Sequence, residues 1–482
     1  MTDQADTDDH HAATRDGGPP SRRDVLRRGA GIAPGVAVLA TTGVAFEFGT
    51  GASEAAPRVV VRREIHDMQL SHPQRFRKLC AAIGEMKRRS AKDPRDPAGW
   101  LANADIHKQF CSVPAANRRQ VHFSWWFLPW HRAYLSVTER KIQEIAGDPT
   151  IGLPYWNYSV HRFIPSAYLD RDTPLFDKRR FGPKRPLSDA EVGFDYKKWK
   201  RGGYGVAALS ARTFTGNPDV TSFGGPRHPN KTRTYFGGTL ESIPHNPVHN
   251  YVGGEKGTGK KAQTGDMSDF DTAARDPVFF GHHGNIDRLW EIWRSKRRNR
   301  VTEPRVSRFL DHTFPFTWLD GLPIEVSVRE TLATRGLGYR YDTLDVFGGR
   351  PAAQTSEAES VAAQAGATVL LTTTVAVPRA GRADSLILRI EDVRLPSRPV
   401  SLTVYLGRRG ERGVPVGGFS SVLSGSEPLK TASLIDVTDA VGALPRGTDQ
   451  ATVTIVAESL SEDPLPPPQV TFGSIRIVAR RR

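Results

Sequence analysis

The chain has 482 residues, 38% apolar and 25% charged, enough for a large buried core spread over more than one domain. Its formal net charge of +15 is dispersed in short Arg/Lys clusters (197–201, 294–300 and 480–482), not gathered in a stripe on a recognisable motif, which argues against a nucleic-acid partner. With only two cysteines, Cys80 and Cys111, no disulfide framework carries the fold.

In chain order, a polar stretch over residues 1–20 leads to Ser21-Arg22-Arg23-Asp24-Val25-Leu26 and then to a Gly- and Ala-rich apolar segment from Gly29 to about Phe46. Paired arginines before a mildly hydrophobic stretch form the twin-arginine export pattern. Residues 1–56 are therefore expected to be a signal peptide, read by the twin-arginine export machinery and cut between about Ala45 and Ala56. The expected destination is extracellular or in the cell envelope. Pro34 and the interspersed glycines make the same stretch a poor membrane-spanning helix.

Residues 75–89 read as an amphipathic helix, with Phe76, Leu79, Cys80, Ile83 and Met86 at helical spacing. Residues 128–145 form a stronger one, with Pro129 suited to a first turn and Gly147-Asp148-Pro149 as a stop. A third runs over 276–294, with Phe280, Ile286, Leu289, Trp290 and Trp293 as its apolar positions. The Gly-, Pro- and Arg-rich stretch 163–235 reads as long loops. A bridging segment follows over 306–350, then an Ala/Gln/Ser/Glu-rich linker over 351–367. Beyond it, strand-like runs at 369–377, 385–393, 400–406, 431–437, 450–456 and 470–478 suggest an antiparallel β-sandwich over 368–482.

Six of the 14 histidines fall in two groups. His107, His122 and His131 make the first, in Ile106-His107, Val121-His122 and Leu128-Pro129-Trp130-His131-Arg132. His245 and His249 in PHNPVH (244–249), with one of the neighbours His282 and His283 in DPVFFGHHGNID (276–287), make the second. His245 and His249 are i,i+4, so their rings leave one helical face and can grip one ion. His122 and His131 are nine apart and would face opposite ways on one helix, so His122 belongs in the loop before the helix carrying His131. All-imidazole sites suit copper, zinc, iron or nickel, and the lack of a carboxylate or thiolate favours copper doing oxygen chemistry.

Residues 122–139 (HFSWWFLPWHRAYLSVTE) resemble the first copper signature of tyrosinases, catechol oxidases and molluscan hemocyanins, and residues 276–287 resemble the second. The likeness to plant polyphenol oxidases extends over nearly the whole expected mature chain, weakest at 163–235 and 351–367. It implies an α+β multidomain protein: a helical-bundle binuclear copper domain with long loops (57–305), a bridging segment and a C-terminal antiparallel β-sandwich that shields the site. It implies two copper ions per chain, one held by His107, His122 and His131, the other by His245, His249 and His283, with His282 left out. It further implies a thioether between Cys111 and His122, while Lys108 stands where plant enzymes have a disulfide cysteine. By the same resemblance Glu241 and Asn246 hold a water that deprotonates monophenols, Phe270 is an aromatic gate over the copper site, and Tyr339 and Tyr341 form a tyrosine pair ending the catalytic domain. The activity implied is oxidation of o-diphenols, with hydroxylation of monophenols, to o-quinones by molecular oxygen. An o-aminophenol oxidase and a hemocyanin-like oxygen binder are the alternatives.

Overall fold

The computed structural model describes residues 59–112, 120–194, 205–216, 221–227, 237–258, 261–295, 302–347, 367–379, 384–422, 429–461 and 466–481. The expected signal peptide (1–56) and all but the last residue of the expected linker (351–367) lie outside them.

Strand β1 (Val60–Arg62) leads into helices α1 (Ile65–Ser71) and α2 (Pro73–Lys92). Helix α2 covers the expected 75–89, starts on Pro73, and buries Leu79, Ile83 and Met86 while Phe76 and Cys80 pack at the edge of the core. Helix α3 (Trp100–Cys111) is absent from the sequence reading. Polar Asn103 and His107 are buried beside Trp100, Ile106 and Phe110, so no clean apolar stripe marks it. Helix α4 (Phe127–Ala146) ends where its sequence says it should: Gly147 takes φ 59° and its N–H closes on the last turn. Helices α5 (Asn246–Gly253) and α6 (Val278–Ser295) follow, and α4 packs against both α2 and α6 around one hydrophobic cluster.

The bridging segment forms a hairpin of β2 (Thr313–Thr317) with β3 (Pro323–Ser327), then β4 (Tyr339–Tyr341), which pairs in parallel with β1. Tyr339 and Tyr341 each donate a hydroxyl hydrogen bond of 2.6 Å to Asp287 Oδ2. Arg132 Nε donates to Asp287 Oδ1 at 2.5 Å, and Arg62 Nε donates to Glu139 at 2.8 Å. Burial pushes the Asp287 carboxyl upward, but Arg132 and Arg62 outweigh it and hold the carboxyl below its ordinary range. The tyrosine pair is thus tied to α4 and α6 through a buried network in which each charge faces an opposite one.

The C-terminal region is β-rich: β5 (Thr368–Ala376), β6 (Asp384–Leu395), β7 (Val400–Arg408), β8 (Val414–Ser421), β9 (Leu429–Asp436), β10 (Gln450–Ala457) and β11 (Ser474–Arg481). They form a three-stranded sheet, β9-β6-β11, and a four-stranded sheet, β8-β7-β10-β5, antiparallel throughout. Leu388 and Ile390 of one sheet and Val404, Val453 and Ile455 of the other share one hydrophobic cluster. Strand β8 was missed because Pro415, Gly417 and Gly418 read as turn residues; as an edge strand it tolerates them. The last strand begins four residues later than the expected 470–478.

Candidate metal centre

Helix α3 carries His107 and Cys111, α4 carries His131, and the turn between them carries His122. These four residues are buried, and one ligating atom of each lies within 4.8 Å of the others. Phe123, next to His122, takes φ 57°, a left-handed conformation at a non-glycine residue that turns the chain between His122 and α4. His249 lies on α5, His245 caps it, and His282 and His283 lie on α6; these four form a second buried cluster of the same kind. The rings of His131 and His283 stack at 4.2 Å, so the two clusters are contiguous.

Most of the rings are held by their Nδ1 atoms. His107 Nδ1 meets the Phe270 carbonyl, His131 Nδ1 the Phe127 carbonyl and His249 Nδ1 the Met267 carbonyl, each at 2.8 Å. His245 Nδ1 meets Asn246 Oδ1 at 2.7 Å, and His122 Nδ1 meets Gln120 Oε1 at 3.3 Å. These acceptors require the hydrogen on Nδ1 and leave the Nε2 lone pair facing inward. The Nε2 atoms of His107, His122, His131 and His245 are buried without a hydrogen-bond partner, while those of His249 and His283 face each other at 3.1 Å. Burial lowers every one of these imidazoles, His107 to about 3 and His249 to about 4, so all are neutral near pH 7. Neutral rings with converging, unpartnered lone pairs are what a nitrogen-binding transition metal takes, and two adjacent clusters fit a binuclear copper centre.

The other expected site residues are placed as follows. Phe270 is buried with its ring 4.4 Å from that of His122, and its carbonyl also orients His107. Glu241 is not on a helical face with His245, because Ile243 breaks the turn with φ −151° and ψ 127°. Its carboxylate instead accepts the Phe123 N–H at 2.8 Å, and burial pushes its pKa up to about 8 against that hydrogen bond and another from Gly238. Asn246 is occupied by His245 on its oxygen and by the Ser420 carbonyl of β8, 3.4 Å from its Nδ2. Asn250 Nδ2 donates to the Val400 and Ser421 carbonyls at 3.0 and 2.8 Å, so the β-rich region docks on the helix that carries His249. Sequence reasoning missed Gln120 and the three orienting carbonyls, and it set aside His282, which the fold brings into the second cluster, its ring 5.3 Å from that of His245.

Residues 97–296 match the family model described as the common central domain of tyrosinase. Over that segment the chain resembles the tyrosinase family. Similar curated relatives of this chain are the chloroplastic polyphenol oxidase II of Ipomoea batatas, 33% identical over 58% of this chain and 49% of its own length, and the latent-form chloroplastic polyphenol oxidase of Prunus armeniaca, 32% identical over 58% and 48%. The chain therefore spans about half the length of the curated relatives it matches. Among solved structures, latent apple tyrosinase superposes with a TM-score of 0.65 and 26% identity over 89% of this chain and 99% of that one. The same plant relatives correct one expectation. They are chloroplastic, so twin-arginine export to the cell envelope is not upheld.

Proposed function

We propose that this protein oxidises o-diphenols, and hydroxylates monophenols, to o-quinones with molecular oxygen at a pair of copper ions. The observation that carries this reading is the pair of contiguous histidine clusters, their rings oriented and neutral. His107, His122 and His131 hold one copper, and His245, His249 and His283 the other. Bound there, the copper pair supplies two-electron transfer between the phenol and oxygen; two catechols give up four electrons and four protons as one oxygen becomes two waters. The chain's own residues position the substrate. Phe270 offers a ring beside His122 for the phenol to stack on, and the buried walls exclude water from the reacting ring.

A monophenol must lose its proton before its oxygen reaches a metal, and Glu241 is the acceptor, through a water shared with Asn246. Replacement of Glu241 by Gln is expected to lower tyramine hydroxylation by about a hundredfold or more while catechol oxidation falls far less. Because a carboxyl at about 8 holds its proton below that pH, the base-competent fraction of the metal-free site rises about tenfold per unit towards it. Positive copper lowers that value, so hydroxylation by the wild type should rise with pH on a limb that lies below 8. A pH profile of kcat/KM with tyramine checks both points, and an unchanged profile in Glu241→Gln would remove Glu241 from the role.

The proximity of Cys111 to His122 supports a thioether between them. Its formation removes the thiol hydrogen and one ring hydrogen, with oxygen as the acceptor of both. The peptide pair holding Cys111 and His122 is expected to run as one cross-linked species, lighter by two hydrogens than its sum, in copper-loaded protein and not in Cys111→Ser. Two separate peptides from the loaded wild type would exclude the bond.

The division into a copper domain (57–305), a bridging segment (306–350) and a β-sandwich (368–482) is supported by separate hydrophobic clusters for the helical and β-rich regions. The docking of β7 and β8 on α5, and the latent forms among the relatives, support a shielding role for that β-region. Oxygen uptake by the copper-loaded chain with catechol, tyramine and an o-aminophenol in parallel tests the activity. No uptake with any of them, in protein holding two coppers, would sink it and leave reversible oxygen binding.

A further inference from the structure

Outside the copper histidines, one other group of metal-ligating side chains stands among the described residues: Glu64, His66 and His161, with one donor atom of each within 4.8 Å of the others. We propose that these three residues form a third metal site, taking a borderline divalent cation such as Zn2+. Two imidazoles and a carboxylate make a donor set such ions accept, with remaining positions filled by water. The side chains are half-buried, Glu64 13% and His66 29% exposed, so a hydrated ion reaches them while the walls keep their rotamers few.

The donors come from segments far apart in sequence, and the backbone already holds those segments together. Ile65 N–H donates to the Tyr155 carbonyl and Tyr155 N–H to the Arg63 carbonyl, each at 2.9 Å. His161 N–H donates to the Asn157 carbonyl at 2.9 Å, and the His161 carbonyl accepts the Trp156 indole N–H at 2.7 Å. No chain movement is needed to bring the ligands together, so little ordering entropy opposes binding. The Glu64 carboxylate caps α1 through the His66 N–H at 2.7 Å and also meets His66 Nδ1 at 3.0 Å. A cation would replace the proton shared in that second contact, releasing it to solvent. The His66 and His161 rings lie nearly parallel, 4.0 Å apart at 22°, so one ring must turn about its Cβ–Cγ bond for both to meet one ion in plane. The cross-link would fasten the β1–α1 junction to the loop after Trp156, whose own N–H is anchored on Gly281 of α6 at 2.9 Å.

The site is tested on the full chain loaded with copper, dialysed against micromolar Zn2+, with Zn and Cu per chain measured by mass spectrometry. The wild type is expected to gain about one Zn2+ with its copper retained and to melt at a higher temperature, since the ion binds only the folded chain. His66→Ala and His161→Ala are each expected to weaken Zn2+ binding by more than about tenfold, with copper content and catechol oxidation unchanged. Absence of Zn2+ uptake by the wild type overturns the proposal. So does equal uptake by wild type and both variants, which would locate the ion elsewhere, for example at His10 and His11. Because zinc uptake decides the test, failure here leaves the oxidase reading untouched.

Discussion

Replacing His131 or His283 by Ala is expected to cost the copper on that side and to lower catechol oxidation by three orders of magnitude or more, about 4 kcal/mol or greater in transition-state stabilisation. The two rings stack on each other at 4.2 Å, at the join of the clusters, so either loss disturbs both positions. His131 is further fixed by the Phe127 carbonyl one helical turn away, a contact that alanine cannot make. Removing the ring also leaves a void in a core where Phe127, Trp130 and Phe279 pack against it. Copper content by atomic absorption, read beside oxygen uptake and circular dichroism, separates metal loss from unfolding. His282→Asn is the companion variant: His282 packs against His245, and with His283 as the ligand the protein should keep both coppers. Loss of copper in His282→Asn with retention in His283→Ala would reverse the assignment of the two neighbours.

Release of the β-rich region is expected to raise catechol oxidation by at least about tenfold, equivalent to ~1.4 kcal/mol or more in favour of the docked state in the intact chain. Strands β7 and β8 lie against α5, where Asn250 donates to the Val400 and Ser421 carbonyls and Asn246 approaches Ser420. Val422, just past β8, is buried in the helical core and not with the β-strands. On the outer rim Arg185 pairs with Glu191 at 2.7 Å and donates to the Ser459 carbonyl at 3.2 Å. A substrate reaching α5 therefore competes with these contacts, and the apparent activity scales with the fraction of chains in which they are open. The expected linker carries Glu357 and Glu359, at which cleavage by a glutamate-specific protease is attempted. After removal of the released fragment, kcat/KM for catechol is compared with that of the uncut chain. Asn250→Ala, which deletes two of the docking hydrogen bonds, should move the intact chain the same way by a smaller amount. Equal activity before and after cleavage would rule out latency.

Much of this architecture was legible because it is local. Apolar spacing marks α2, α4 and α6, since a helix buries one face and the period of that face is written in consecutive residues. Gly147 stops α4 because only glycine enters the left-handed cap without strain. Helical geometry likewise pairs His245 with His249 and places His122 outside the helix of His131, while only the signature resemblance chose His283 over His282. Helix α3 and strand β8 escaped for the opposite reason. Buried Asn103 and His107 break the apolar stripe of one, and Pro415 with two glycines suits only an edge position in the other, which no local pattern announces.

The tertiary structure alone decided how the site is tuned. Phe270 and Met267 orient His107 and His249 through backbone carbonyls, and a carbonyl carries no residue identity for a sequence to reveal. Glu241 reaches Phe123 across 118 positions, and the burial that lifts its pKa comes from the packing of several elements at once. Asn246 gave no sign of facing Ser420, and His282 no sign of joining the second cluster, until α5, α6 and β8 were packed together. Residue types and their spacing set which groups are available as ligands; desolvation and long-range hydrogen bonds, which exist only once the chain has closed on itself, set their tautomers and charges.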